Sequence, residues 1–120
     1  MTTPFAPAVL EHWRRPHNHR RLDAPTHVRE GSNPLCGDVV RMALRVEGGQ
    51  VVEAAFEANA CAICTAAASV LTVHLTQCPV ADARALTDAA LTAELGDVPA
   101  AREKCLRLPL DIVHAMLAGA

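Results

Sequence analysis

Residues 38–58 constrain the fold most. In Asp-Val-Val-Arg-Met-Ala-Leu-Arg-Val-Glu (38–47), Val40, Met42, Leu44 and Val46 alternate with Arg41 and Arg45. In Val-Val-Glu-Ala-Ala-Phe-Glu-Ala (51–58), Val52, Ala54, Phe56 and Ala58 alternate with Glu53 and Glu57. A period of two is a strand with one buried and one wet face, and two such runs around Gly48-Gly49 make a hairpin. Pairing Val46 with Val52 keeps the apolar faces together and sets Arg45 against Glu53 and Arg41 against Glu57. That register implies a three-residue Gly48-Gly49-Gln50 loop, because a two-residue loop would slip the pairing and oppose buried to exposed positions.

Helical patterns flank the hairpin. Residues 5–14 read as a short helix with Val9, Leu10 and Trp13 on one side, ended by Pro16, and a brief extended segment is expected around Thr26–Glu30. From Cys61 onward, Cys64, Ala68, Leu71 and Leu75 recur at helical spacing. Pro79 suits the first turn of the next helix, Asp88–Leu95 fits another before Gly96, and a last one runs from Pro99 to about Leu117 with Leu106, Leu110, Val113 and Leu117 inward. The order predicts an α+β fold, a small antiparallel sheet of about three strands with helices packed on one face. The 120 residues suit a single domain, 1–120, and alanine-rich apolar content with three aromatic residues favours closely packed helices.

Charge and composition narrow the function. A net charge of −2 gives nucleic-acid binding no electrostatic support, and no apolar run approaches a membrane span. Five cysteines, an odd number, without a secretory leader pattern point to a cytoplasmic chain whose thiols serve metal or sulfur chemistry. Cys36 precedes the first hairpin strand, Cys61 lies where the second strand yields to a helix, and Cys105 lies in the first turns of the last helix. Asp38 follows Cys36 across Gly37, whose freedom allows a sharp bend. Three thiolates and a carboxylate make four ligands, enough for tetrahedral zinc or a small iron–sulfur cluster. A carboxylate is a harder donor than thiolate, so such a site opens more easily than an all-cysteine one. Spacing alone leaves each cysteine equally readable as a small buried hydrophobe.

Three words, Asn-Pro-Leu-Cys-Gly-Asp (33–38), Cys-Ala-Ile-Cys-Thr-Ala-Ala-Ala-Ser-Val-Leu-Thr (61–72) and Arg-Glu-Lys-Cys (102–105), occur in an order that resembles the NifU/IscU-type iron–sulfur cluster assembly proteins. Glu-His-Trp-Arg-Arg-Pro-His-Asn (11–18) is similar to that family's first-helix ending, and the resemblance spans about residues 8–117. It implies a SufE/IscU-like fold with Cys36, Asp38, Cys61 and Cys105 grouped at one end. These residues would bind a zinc or iron ion, accept sulfur from a cysteine desulfurase of the SufS, IscS or NifS type, and hold a transient [2Fe–2S] cluster for apo iron–sulfur protein acceptors. Arg102-x-Lys104-Cys105 resembles the SufU branch, whereas IscU-kind scaffolds carry His before the last cysteine. The usual SufU insertion has no room in the 43 residues between Cys61 and Cys105. The Leu-Pro-Pro-Val-Lys chaperone-docking segment is missing, so Hsp70-type docking is not expected. Ala60 stands where the family usually has Gly, and Cys64 where it often has Ser.

The remaining candidates have bland readings beside sharp ones. Lys104, the only lysine, is either a solvated charge or an ammonium that offsets the thiolates and holds Asp38 off the metal. With Gly37 and Arg102 it belongs to the residues expected to modulate the site. Cys64 reads as a buried neighbour of Cys61, Cys78 as a spare thiol, and His74 and His114 as structural. His12, His17, His19 and His27, with Arg14, Arg15, Arg20 and Arg21, form either a solvated segment or a basic docking surface. Two functions follow: a scaffold that accepts sulfur and assembles or transfers a labile cluster, or a zinc-dependent sulfurtransferase. A purely structural zinc is the third reading, and the Cys-Gly-Asp donor mix argues against it.

Overall fold

The computed structural model describes residues 6–34 and 37–118. Its elements are α1 (Pro7–Arg14), β1 (His27–Asn33), β2 (Asp38–Glu47), β3 (Gln50–Asn59), α2 (Ala62–Leu75), β4 (Cys78–Pro79), α3 (Val80–Ala85), α4 (Asp88–Leu95), a 3₁₀ turn (Ala100–Arg102) and α5 (Glu103–Leu117). The strands form an antiparallel sheet in the order β1-β2-β3-β4. The fold is the expected α+β, with four strands where about three were expected. The additional strand is two residues long and sits on the edge of β3, where Gln50 and Val51 pair with Pro79 and Cys78. The expected extended segment is present and longer, reaching Asn33.

The hairpin register is as expected over most of its length, with Arg41 opposite Glu57 and Arg45 opposite Glu53. Beyond Arg45 it slips by one, so Val46 faces Val51 rather than Val52 and Glu47 faces Gln50. The loop is therefore the two residues Gly48-Gly49, both at positive φ (58° and 75°), which is what a tight hairpin turn requires. A bulge at Val52 absorbs the conflict that seemed to forbid this loop. As a result Val51 is the buried residue, and Val52 is half-buried.

Val40, Met42, Leu44, Ala54 and Phe56 line the buried face. Helix α2 lies over β3, and α5 over β1 and β2. Ala66, Ala67, Ala68 and Ser69 of α2 have no exposed surface, so α1, α4 and α5 approach it closely. Such a helix is apolar nearly all round because it is covered nearly all round. The expected inward residues of α5 (Leu106, Leu110, Val113, Leu117) are buried, but Trp13 of α1 is 46% exposed and only Val9 of that helix is fully buried. Pro109 lies inside α5 and has no N–H for the Cys105 carbonyl, so the helical ladder is interrupted there. The opposite face of the sheet is partly covered as well: Leu22 packs on Ala43 and Ala55. Among the described residues no helix is long and apolar enough to cross a membrane.

Candidate metal centre

Three elements end at one corner of the sheet. Asp38 opens β2, and the pairing of Val39 with Asn59 sets it level with the residues that follow β3. Cys61 caps the N-terminus of α2, where its sulfur accepts the Cys64 backbone N–H at 3.5 Å. Cys105 lies in the first turn of α5, which the packing of α5 on α2 and β2 brings over the same corner. One ligand atom from each of Asp38, Cys61 and Cys105 lies within 4.8 Å of the other two. Zinc–ligand bonds of about 2.0–2.3 Å in a tetrahedron put ligand atoms about 3.3–3.8 Å apart, so a small inward shift closes the set on an ion.

Asp38 is 2% exposed. Its Oδ1 accepts the Cys61 N–H at 2.9 Å, whereas Oδ2 is buried with no hydrogen-bond partner among the described residues. A buried carboxylate oxygen left unpaired is costly. A cation shared with two sulfurs would satisfy it, so the donor set fits zinc or cluster iron. Cys105 is fully buried, whereas Cys61 is half-buried and is the reachable sulfur of the two.

The other expected site residues divide. Cys36 falls in the 34–37 connection between β1 and β2 but lies outside the described residues. Gly37 has φ +71°, the left-handed bend expected of it just ahead of Asp38. Lys104 and Arg102 are exposed, and no ion pair joins either to Asp38 among the described residues. Cys64 is buried behind Cys61, and Cys78 is a half-buried free thiol whose pKa is raised by burial and then by the nearby Asp82. His74 is exposed, and His114 is half-buried with Nε2 unpartnered among the described residues.

The N-terminal His/Arg cluster is largely neutralised and tied down. Arg15 pairs with Glu11, Arg20 with Glu53 and Arg21 with Glu57. His12 Nδ1 and the His17 N–H both meet Ser69 Oγ at 2.8 Å, while Asn18 bonds Thr72. This network fastens residues 12–18 onto α2; its sequence signal was the buried polar pair Ser69 and Thr72, three residues apart in a largely apolar helix. A hollow of about 470 Å³ on the opposite sheet face, between His19, Arg20, Arg21 and Arg41, holds no thiol, so chemistry and not cavity size locates the centre.

Known proteins are similar to this chain in sequence and in fold. The bifunctional protein NifU/MnmA of Rubrobacter xylanophilus is 34% identical over 95% of this chain and 24% of its own length. The zinc-dependent sulfurtransferase SufU of Bacillus subtilis is 32% identical over 60% of this chain and 48% of its own. The chain thus spans less than half the length of these curated relatives. FiSufU of Fervidobacterium islandicum AW-1 superposes with a TM-score of 0.80 at 21% identity, covering 95% of this chain and 96% of that one, which shows the shared fold. The family described as NifU-like N terminal domain matches residues 5–119, and the chain belongs to that family.

Proposed function

We propose that this chain is a cytoplasmic iron–sulfur cluster assembly protein, built as one NifU-type domain. It accepts sulfur from a cysteine desulfurase and assembles or transfers a labile [2Fe–2S] cluster at Cys36, Asp38, Cys61 and Cys105. The observation that carries this reading is the convergence of Asp38, Cys61 and Cys105 within 4.8 Å, with a buried Asp38 oxygen that has no hydrogen-bond partner among the described residues. A cysteine thiolate of the centre attacks the outer sulfur of the donor's persulfide. The S–S bond breaks, the donor thiolate leaves, and the sulfur stays as a persulfide on the acceptor. Asp38, tied through Oδ1 to the Cys61 backbone, presents a single oxygen and serves as the exchangeable ligand. Zinc bound in the same place would keep the thiolates deprotonated.

A second reading, zinc-dependent sulfurtransferase, is favoured by Lys104 beside Cys105, the residue pair that marks the SufU-like branch. One experiment separates the two. The anaerobically purified protein is assayed for zinc and iron, then given desulfurase, cysteine and ferrous iron. Cluster absorbance that moves to an apo-ferredoxin supports the scaffold, with slower release expected in Asp38→Ala. Tight zinc with strong desulfurase stimulation and no cluster supports the sulfurtransferase. Inert zinc with neither effect would refute both.

A further inference from the structure

The charged side chains that line a groove beside Cys105 have no part in the proposed chemistry. Lys104, Arg107, Leu108 and Asp111 share one stripe of α5 and form a wall of an open groove of about 330 Å³. Ser32 and Asn33, at the end of β1, line the groove opposite them. Lys104 and Arg107 are exposed, and neither makes an ion pair among the described residues. Arg15, Arg20, Arg21 and Arg45, by contrast, each face a glutamate. Asp111 is about 10 Å further along the helix from Lys104, so the end of the groove beside Cys105 is cationic although the chain carries a net charge of −2.

We propose that this groove docks an acidic segment of the protein that delivers sulfur to the centre, an inference that rests on the function proposed above. Charge complementarity selects the occupant, and exposure selects its size. A single ion pair to a solvated lysine or arginine is too weak to hold a small free anion. Several carboxylates on a protein segment act together, and unpaired surface charges mainly steer encounter and set orientation. Docked along α5, such a segment is held beside Cys105 while the donor's reactive sulfur approaches the half-buried Cys61.

The test is the rate of association between the full chain and its cysteine desulfurase at low, physiological and high ionic strength. Lys104→Glu/Arg107→Glu is compared with Arg14→Glu/Arg15→Glu, which changes net charge equally at the C-terminal end of α1. The α5 variant should associate roughly tenfold or more slowly at low salt and converge with the wild type at high salt. The control should change far less. Circular dichroism and zinc content are read on each protein. Equal slowing in both variants, or no slowing in the α5 variant, would overturn the inference. So would loss of zinc from that variant with an unchanged association rate, which would return Lys104 to the metal centre. Tight calorimetric binding of a small dicarboxylate at the groove would also overturn it. A wild type that does not bind the desulfurase at all would overturn the proposed function, and this inference with it.

Discussion

Replacing Asp38 by Asn should make the metal-free protein more stable while weakening its hold on metal. The variant keeps an oxygen to accept the Cys61 N–H and removes the buried charge whose second oxygen has no hydrogen-bond partner among the described residues. Placing a neutral amide instead of a carboxylate at that position lowers its burial cost by about 1–3 kcal/mol, and exchanging a charge-assisted hydrogen bond for a neutral one gives back about 1. The neighbouring thiols are weak acceptors for the two amide hydrogens that the substitution brings in. The net gain is about 1 kcal/mol, or about 4 °C in Tm for a chain of this length. Zinc affinity should fall at least tenfold, about 1.4 kcal/mol, because a neutral amide replaces an anionic ligand. Urea and thermal unfolding of the metal-free proteins, with competitive zinc titration by a chromophoric chelator, measure both quantities. A metal-free variant less stable than the wild type would mean that Oδ2 is already satisfied. Unchanged zinc affinity would remove Asp38 from the ligand set.

Three further outcomes follow from named contacts. A Cβ on Gly31 would lie 2.7 Å from Ile112 Cγ1, so Gly31→Ala should cost about 1–2 kcal/mol by forcing α5 off β1. In urea unfolding, Ile112→Ala should recover at least half of that in the double variant, and additive losses would refute the contact. His12 has its pKa lowered below 6.5, chiefly by burial against α2, so its neutral form is favoured in the fold. Its contribution is full above the unfolded value and is lost as pH falls from about 6.5 through the folded value. His12→Asn should flatten the fall in unfolding free energy between neutral and mildly acid pH, and an unchanged slope would refute this. Glu53 titrates below its ordinary value, first because Arg45 donates to its carboxylate and then because Arg20 does. Carboxyl NMR of Arg45→Gln should move that titration upward, and no movement would contradict the assignment.

Much of this architecture was legible in the residues, for physical reasons. Alternation over β2 and β3 set which side chains face the core, and the opposed Arg41/Glu57 and Arg45/Glu53 pairs set the register. The tip misled, because Gly48-Gly49 stabilises a tight turn whose register conflict is released by a bulge at Val52, and alternation alone does not encode a bulge. β4 was missed because two residues on the edge of β3 have no period to read. In the centre, Asp38 and Cys61 follow from neighbouring strand ends, whereas the approach of Cys105 depends on how α5 crosses β1, a contact that Gly31 permits. Lys104 was readable either as a solvated charge or as an ammonium that holds Asp38 off the metal. Adjacent helical residues point about 100° apart, so with Cys105 turned inward Lys104 falls on the stripe shared with Arg107 and Asp111. Trp13 was expected on the apolar side of α1, yet the polar anchoring of residues 12–18 through Ser69 and Thr72 leaves nearly half of it exposed.

X-ray absorption at the zinc edge of the metal-loaded protein tests the four-ligand centre most directly. The account predicts three sulfurs at about 2.3 Å and one oxygen at about 2.0–2.2 Å. One sulfur should be lost in Cys105→Ser and the oxygen shell altered in Asp38→Asn. A zinc shell without sulfur, or a spectrum unchanged by either substitution, would contradict it.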